Sequence, residues 1–144
     1  MKKLNKKGFT LVELLAVIVI LAVIMVITIP TVLGSMGAAK TSAFKSALKT
    51  IEEFGEKQLS ICNAGISEFT GSHDTTIAVY DATAKKCVLK AATASATAED
   101  KSNLVTKAGY TGITIDTISE ANGNVSITKA SSANTSEFGT QSIG

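Results

Sequence analysis

The sequence predicts an α+β protein in which one long N-terminal helix, hydrophobic then amphipathic, packs against a small antiparallel β-sheet head. Three observations support this prediction. Residues 9–29 are almost wholly apolar, residues 44–57 repeat apolar side chains at helical spacing, and short alternating segments follow beyond residue 74. A helix of this kind can bury its second half only by packing one face on the strands that come after it.

Composition and charge indicate a single domain of modest size. The chain has 144 residues and a formal net charge of +2, and four of its 14 lysines precede Gly8. The other ten lysines are outnumbered by 12 acidic residues, which leaves a net charge of −2, and there is no arginine. Because no dense basic patch remains, we do not expect specific nucleic-acid binding.

The N-terminal segment has the composition of a membrane anchor. Gly8 closes a lysine-rich leader, and Phe9 opens an apolar run that contains one carboxylate, Glu13. As a helix, residues 9–29 would span about 31 Å, which matches the hydrocarbon core of a bilayer. The lysines are expected to stay on the cytoplasmic side, with the C-terminal part outside. A secretory signal peptide fits less well, because the apolar run is too long and no clear Ala-x-Ala site follows it.

The stretch from Lys7 to Leu15 resembles the class III signal of type IV prepilins and related pilin-like proteins. The shared features are a basic leader, a glycine before a phenylalanine, a carboxylate inside an apolar helix and a later proline, Pro30. The resemblance implies that a membrane aspartyl prepilin peptidase cleaves between Gly8 and Phe9 and methylates the new amino group of Phe9. It covers the leader and about the first 25 residues after it, so the head contributes little to it.

Gly8 and Glu13 also have physical reasons to occupy these positions. Gly8 has no side chain, so a peptidase can hold the backbone closely there. An ionised group within a membrane-length segment is costly and indicates a function. In an assembled filament, the Glu13 carboxylate of one subunit is expected to meet the Phe9 amine of a neighbour, mainly to set the axial register. The alternative is a Glu13 that merely lies near the interface and reaches towards water.

The predicted organisation has three parts. They are a leader at residues 1–8, a long helix at 9–59 with 9–30 in the membrane or filament core, and a head at 60–144. Pro30, Gly34 and Gly37 are expected to kink or loosen the helix, where a subunit could unwind on leaving the bilayer. A plain kinked anchor is equally compatible with these residues.

The second half of the helix is predicted to be amphipathic. Phe44, Leu48 and Ile51 recur at helical spacing, with Ala47 and Phe54 nearby. The charged residues are predicted to lie on the other side; they are Lys45, Lys49, Glu52, Glu53, Glu56 and Lys57.

The head is predicted to contain three or four antiparallel strands. Asn122-Gly123 is a hairpin signal between the last two of them. The strand patterns lie at residues 75–80, 86–89, 111–118 and 125–128.

A short capped helix and a weakly patterned tail complete the head. The helix is predicted to follow Thr97, with Asp100 in its first turn, and to end near Gly109. Residues 130–144 are rich in serine, threonine and glycine and are expected to form at most an edge strand with a loose tail.

Cys62 and Cys87 are the two cysteines of the chain. In an oxidising setting outside the cytoplasm they can form a disulfide, which would stabilise the head by about 3.5 kcal/mol on the chain-entropy estimate. Two buried free thiols are the alternative. A disulfide between these positions differs from the C-terminal one frequent in pilins, so no receptor-binding role is transferred to it.

No pattern in the sequence indicates catalysis. His73 is the single histidine, and neither a zinc motif, a phosphate-binding loop nor a nucleophile elbow is present. We therefore predict no enzyme, no cofactor and no metal site.

The favoured interpretation is a structural subunit of a type IV pilus used for adhesion, motility or aggregation. Its expected partners are further copies in a helical filament, prepilin peptidase, an inner-membrane assembly platform and, before assembly, the cytoplasmic membrane. The first alternative is a pseudopilin of a type II secretion or competence system. The second is a membrane-anchored binding module that never polymerises.

Overall fold

The computed structural model describes residues 8–65, 74–135 and 137–144, and the leader before Gly8 lies outside them. The chain divides into two compact units, Met1–Ala39 and Lys40–Gly144. The elements in chain order are α1 (Leu11–Gly65), β1 (Ala78–Asp81), β2 (Lys86–Leu89), a short 3-10 helix (Lys90–Ala92), α2 (Ala98–Lys107), β3 (Ile113–Ala121), β4 (Asn124–Thr135) and β5 (Gly139–Ile143). This pilin-like α+β architecture confirms the predicted fold class.

In the second unit, α1 presents one apolar face to the core. Phe44, Leu48 and Ile51 are buried, as predicted, and Phe54 is partly buried against the same cluster. Their spacing places them on one side of the helix. The stripe continues through Leu59 to Cys62, so the helix extends beyond its predicted end to Gly65.

The charged side of α1 differs from the prediction at two positions. Lys45, Lys49 and Glu53 are exposed as expected. Glu52 and Glu56 are half-buried instead, and both accept hydrogen bonds from the backbone of β4. Helical spacing alone did not reveal this, because both residues lie at the border between the two faces, where the position of the sheet decides their environment.

The strands of the described residues form two antiparallel sheets. β1 pairs with β2, and the second sheet has the order β3-β4-β5. The predicted hairpin between β3 and β4 is present: Asn122 has φ 54° and Gly123 has φ 85°, the left-handed pair that a tight hairpin turn requires.

The C-terminal segment is more regular than predicted. β4 extends to Thr135 and β5 follows at Gly139–Ile143. Phe138 lies between them, fully buried, with its ring 5.9 Å from that of Phe44 in an edge-to-face arrangement. The buried Ser132 hydroxyl donates to the Gly139 carbonyl at 2.8 Å. Backbone pairing with β4 and the packing of Phe138 hold this segment in place. It therefore forms a strand without the alternation of apolar residues by which strands are recognised in a sequence.

The capping of α2 agrees with the prediction. The Thr97 hydroxyl accepts from the Asp100 amide at 3.1 Å, and the Asp100 carboxylate accepts from the Thr97 amide at 2.9 Å. This reciprocal arrangement is a capping box. At the other end Gly109 has φ 94°, and its amide bonds to the Thr106 carbonyl, which ends the helix.

Asp74 anchors the turn that leads into β1. Its carboxylate accepts from the Thr76 hydroxyl at 2.6 Å and from the Thr76 amide at 2.9 Å, and Lys107 approaches to 3.2 Å. These interactions favour the ionised form, and the Thr76 hydroxyl is the largest cause. Together they lower the pKa of Asp74 to about 2.

This lowered pKa predicts a loss of stability in acid. The folded-state pKa lies below the unfolded value of about 3.9, so the stabilisation is complete above about pH 5 and disappears as the pH falls towards 2. In the Asp74→Asn variant, stability should fall less steeply between about pH 5 and pH 2, because the asparagine amide does not titrate. Thermal unfolding of the full chain in detergent, measured between pH 6 and pH 2, checks this prediction. The same dependence of the unfolding temperature on pH in both chains would contradict the prediction. The variant should still lose some stability in acid, because the pKa values of Asp81 and Asp100 are also lowered.

Candidate functional site

Gly8 and Phe9 form an exposed extension before the first helical residue. Neither belongs to α1, which begins at Leu11. Among the described residues, apart from its chain neighbours, no atom would lie within 4 Å of a side-chain carbon built on Gly8, and Phe9 is 92% exposed. The backbone between Gly8 and Phe9 is therefore open to another protein from several directions.

Thr10 and Glu13 form a capping box at the start of α1. The Glu13 carboxylate oxygen Oε2 accepts from the Thr10 amide and from the Thr10 hydroxyl, both at 2.9 Å. In return, the Thr10 hydroxyl accepts from the Glu13 amide at 3.3 Å. Glu13 thus satisfies backbone groups at the helix N-terminus, where a negative charge is also favoured by the helix dipole.

Sequence reasoning missed this role of Glu13, although the signal was present. Thr10-x-x-Glu13 has the spacing of a capping box, the same spacing that predicted the start of α2 at Thr97. From the sequence, Glu13 is interpreted as a charge that pairs with another subunit or as a side chain that reaches towards water. In the structure, Glu13 has a hydrogen-bonding partner in its own chain, Thr10.

The second carboxylate oxygen of Glu13 can still accept a donor from outside. Both hydrogen bonds from Thr10 go to Oε2, and within the described part of the chain no hydrogen bond reaches Oε1. Phe9, Glu13, Leu14 and Val17 line one open groove. The arrangement can therefore hold the helix start and bind a cation from another molecule at the same time.

The helix that follows exposes apolar side chains on all sides. Every large hydrophobic residue from Leu11 to Met36 is at least 43% exposed in the isolated chain. The helix is long and apolar enough to cross a membrane, with a mean hydropathy of 3.1 over its most apolar window. So much exposed apolar surface requires lipid or other protein around it.

A family profile for the prokaryotic N-terminal methylation motif matches residues 3–29. This segment is a class III signal of the type IV pilin kind. No curated protein and no solved structure matched the chain. The motif indicates a substrate of prepilin peptidase that anchors in the membrane before assembly, and the proteins that carry it are structural rather than enzymatic.

Pro30, Gly34 and Gly37 lie in the apolar part of this pilin-like helix. α1 is helical through all three positions. Hydroxyl groups on either side of the proline bond back to helix carbonyls: Thr28 donates to Ile24 and Thr31 to Ile27, each at 2.9 Å. These bonds satisfy polar side chains inside an apolar segment, as a membrane or filament core requires.

Cys62 and Cys87 are joined by a disulfide in the head. Both are buried, and their Cα atoms are 6.0 Å apart. The bond connects the last turns of α1 to β2. Next to it, Asn63 Oδ1 accepts from the Cys87 amide at 2.8 Å, so the same junction is held by a hydrogen bond as well.

The described residues contain no cluster of potential metal ligands. Across residues 8–65, 74–135 and 137–144, no group of three or more His, Cys, Asp or Glu side chains is placed to hold a metal ion. His73 lies outside the described residues. Asp74, its neighbour in sequence, is engaged in the turn before β1.

Proposed function

We propose that this chain is a structural subunit of a type IV pilus. The observation that carries the proposal is the open N-terminus: an accessible Gly8–Phe9 bond, followed by Glu13 with one free carboxylate oxygen, at the start of an exposed apolar helix. The matched methylation motif supports a pilin-like or pseudopilin protein. The role as the main building block of a pilus is our proposal.

In this proposal, prepilin peptidase cleaves between Gly8 and Phe9 and methylates the amine of Phe9. The exposed, side-chain-free position at Gly8 suits a peptidase that binds extended backbone. Cleavage creates a cationic amine at Phe9, which the uncleaved precursor lacks because its Phe9 nitrogen is part of a peptide bond. Oε1 of Glu13 on a neighbouring subunit accepts from it, while Oε2 continues to bond to Thr10.

Before assembly the subunit lies in the cytoplasmic membrane with its C-terminal head outside, and afterwards in an extracellular filament. The apolar helix exchanges lipid for the helices of other subunits, guided by the inner-membrane assembly platform. Pro30, Gly34 and Gly37 are the proposed points where this helix kinks or unwinds during that exchange. Adhesion, motility or aggregation then follows from the polymer.

Replacement of Gly8 by a bulky residue tests the cleavage step. Gly8→Leu is expected to leave at least tenfold more uncleaved precursor in membranes, because the side chain blocks close approach of the peptidase to the backbone. Mass spectrometry of the N-terminal peptide measures the cleaved fraction. Gly37→Leu, which alters another glycine with open space around it, serves as the control and should be cleaved normally. A Gly8→Leu chain that still begins at Phe9 would contradict the proposed cut site.

Shearing of the cell surface separates the three candidate roles. A major pilin should be the most abundant protein in sheared filaments and should begin at Phe9. A pseudopilin should be cleaved at the same bond but remain with the envelope. A non-polymerising anchor should be found in membranes alone, without filaments.

A further inference from the structure

One edge of β4 is only partly covered by a neighbouring strand. β3 pairs with β4 as far as Asn124, whereas β5 pairs with it only from Ala130 onward. In the described part of the chain, the stretch from Asn124 to Lys129 therefore has no strand on the β5 side. An open strand edge of this kind is a template for pairing with another chain.

Two side chains of α1 occupy the hydrogen-bonding positions of this edge. Glu56 Oε1 accepts from the Val125 amide at 2.9 Å, and Glu52 Oε1 accepts from the Ile127 amide at 2.6 Å. Residues four apart on a helix are separated by about 6 Å, and residues two apart on a strand by about 6.8 Å. The two carboxylates therefore have nearly the same spacing as the Val125 and Ile127 amides, which point away from β3. They accept from these amides as the carbonyl groups of a neighbouring strand would.

Gly55 lies where α1 packs against β4. It is buried, and a Cβ there would make ordinary contact, 3.4 Å from Val125 Cγ2 and 3.5 Å from Leu89. A side chain longer than that of alanine would collide with these two residues. Glu53, the neighbouring glutamate, points to solvent and offers a matched comparison.

We propose that Glu52 and Glu56 form an edge latch that closes β4 against pairing with a second copy of the chain. An incoming strand would have to place carbonyl oxygens on amides that carboxylates already hold, and the negative charges would repel those oxygens. A carboxylate, moreover, has no donor to offer in return. This inference is independent of the proposed function, because it concerns the head of the purified chain.

Removal of both carboxylates tests the latch. The full chain in detergent micelles carries Glu52→Ala with Glu56→Ala, and Glu53→Ala is the control. Amide hydrogen exchange by NMR is expected to quicken at least tenfold at Val125 and Ile127 in dilute protein. Ser126, whose amide points to β3, should change much less. As the concentration of the double alanine variant rises, light scattering should show larger oligomers than the natural chain forms. In these oligomers, the amides of Val125 and Ile127 should again be protected from hydrogen exchange.

Two results would overturn the proposal. The first is an unchanged rate of amide exchange at Val125 and Ile127 in the double alanine variant. The second is faster exchange at these amides in a variant that forms no additional oligomers at high concentration. If the double alanine variant fails to fold, Glu52→Gln with Glu56→Gln replaces it, since glutamine keeps a neutral acceptor of nearly the same shape. In this glutamine variant, the backbone amides of Val125 and Ile127 should exchange several-fold faster than in the natural chain. The near-ultraviolet spectrum of Tyr80 and Tyr110 should be unchanged, which shows that the head is folded. Exchange at the natural rate would reject the latch.

Discussion

Cells that make only the Glu13→Val chain are expected to cleave it and yet to release about a hundredfold less filament, or less still, than cells with the natural chain. The Phe9 amine of each added subunit would enter an apolar filament core without its carboxylate partner. An unpaired buried charge costs about 3–5 kcal/mol, and each 1.4 kcal/mol is a factor of ten in an equilibrium constant. Quantification of sheared filament protein, with the cleaved fraction measured in parallel, checks this result.

Two further variants separate the charge of Glu13 from its capping of α1. Glu13→Gln keeps a side-chain oxygen for the Thr10 amide but removes the charge, so it should assemble almost as poorly as Glu13→Val. Thr10→Val removes the capping hydroxyl and keeps the carboxylate, and loss of a cap costs only about 1 kcal/mol. It should therefore assemble with a much smaller loss. Normal filaments from Glu13→Gln together with failure of Thr10→Val would assign Glu13 to helix capping and reject the intersubunit pair.

Loss of the Cys62–Cys87 disulfide is expected to have the largest effect on the stability of the head. The two cysteines are 25 residues apart in sequence. Closing a loop of that length contributes about 3.5 kcal/mol by restricting the unfolded chain. For a head of this size, the double variant Cys62→Ala with Cys87→Ala should unfold at least about 15 °C lower. The near-ultraviolet signal of Tyr80 and Tyr110, followed on heating the full chain in detergent, reports the transition.

Reduction of the natural chain provides the matched comparison. The reduced natural chain and the double alanine variant should unfold at similar temperatures, because both lack the same constraint. The alanine variant should also be insensitive to reductant. An unfolding midpoint in the oxidised natural chain no higher than in the variant would show that the bond does not stabilise the head.

Several parts of the fold followed directly from local patterns. The apolar stripe of Phe44, Leu48 and Ile51 predicted which face of α1 is buried, and Thr97 with Asp100 predicted where α2 begins. Asn122-Gly123 predicted the hairpin because few other dipeptides adopt two left-handed conformations in succession. These features depend on residues close together in sequence, whose geometry local rules describe well.

The features that sequence reasoning missed depend on contacts between distant segments. β5 has no apolar alternation, and its order comes from pairing with β4 and from Phe138 packing on Phe44. Glu52 and Glu56 looked like solvent-facing charges until the position of β4 assigned them amide partners. Only the capping role of Glu13 was accessible from local spacing and overlooked, because its place in an apolar segment suggested a partner in another subunit.

The N-terminal segment shows what the sequence by itself determined about this protein: a helix long and apolar enough to cross a membrane, and the signal that the methylation motif describes. Both can be read from the sequence because each depends on a short continuous stretch, whose chemistry needs no tertiary structure. The tertiary structure decided the rest: the packing of Phe138 on Phe44, the disulfide junction and the contacts of Glu52 and Glu56 with β4. These contacts join segments more than 20 residues apart in sequence, so their positions depend on the packing of the whole head.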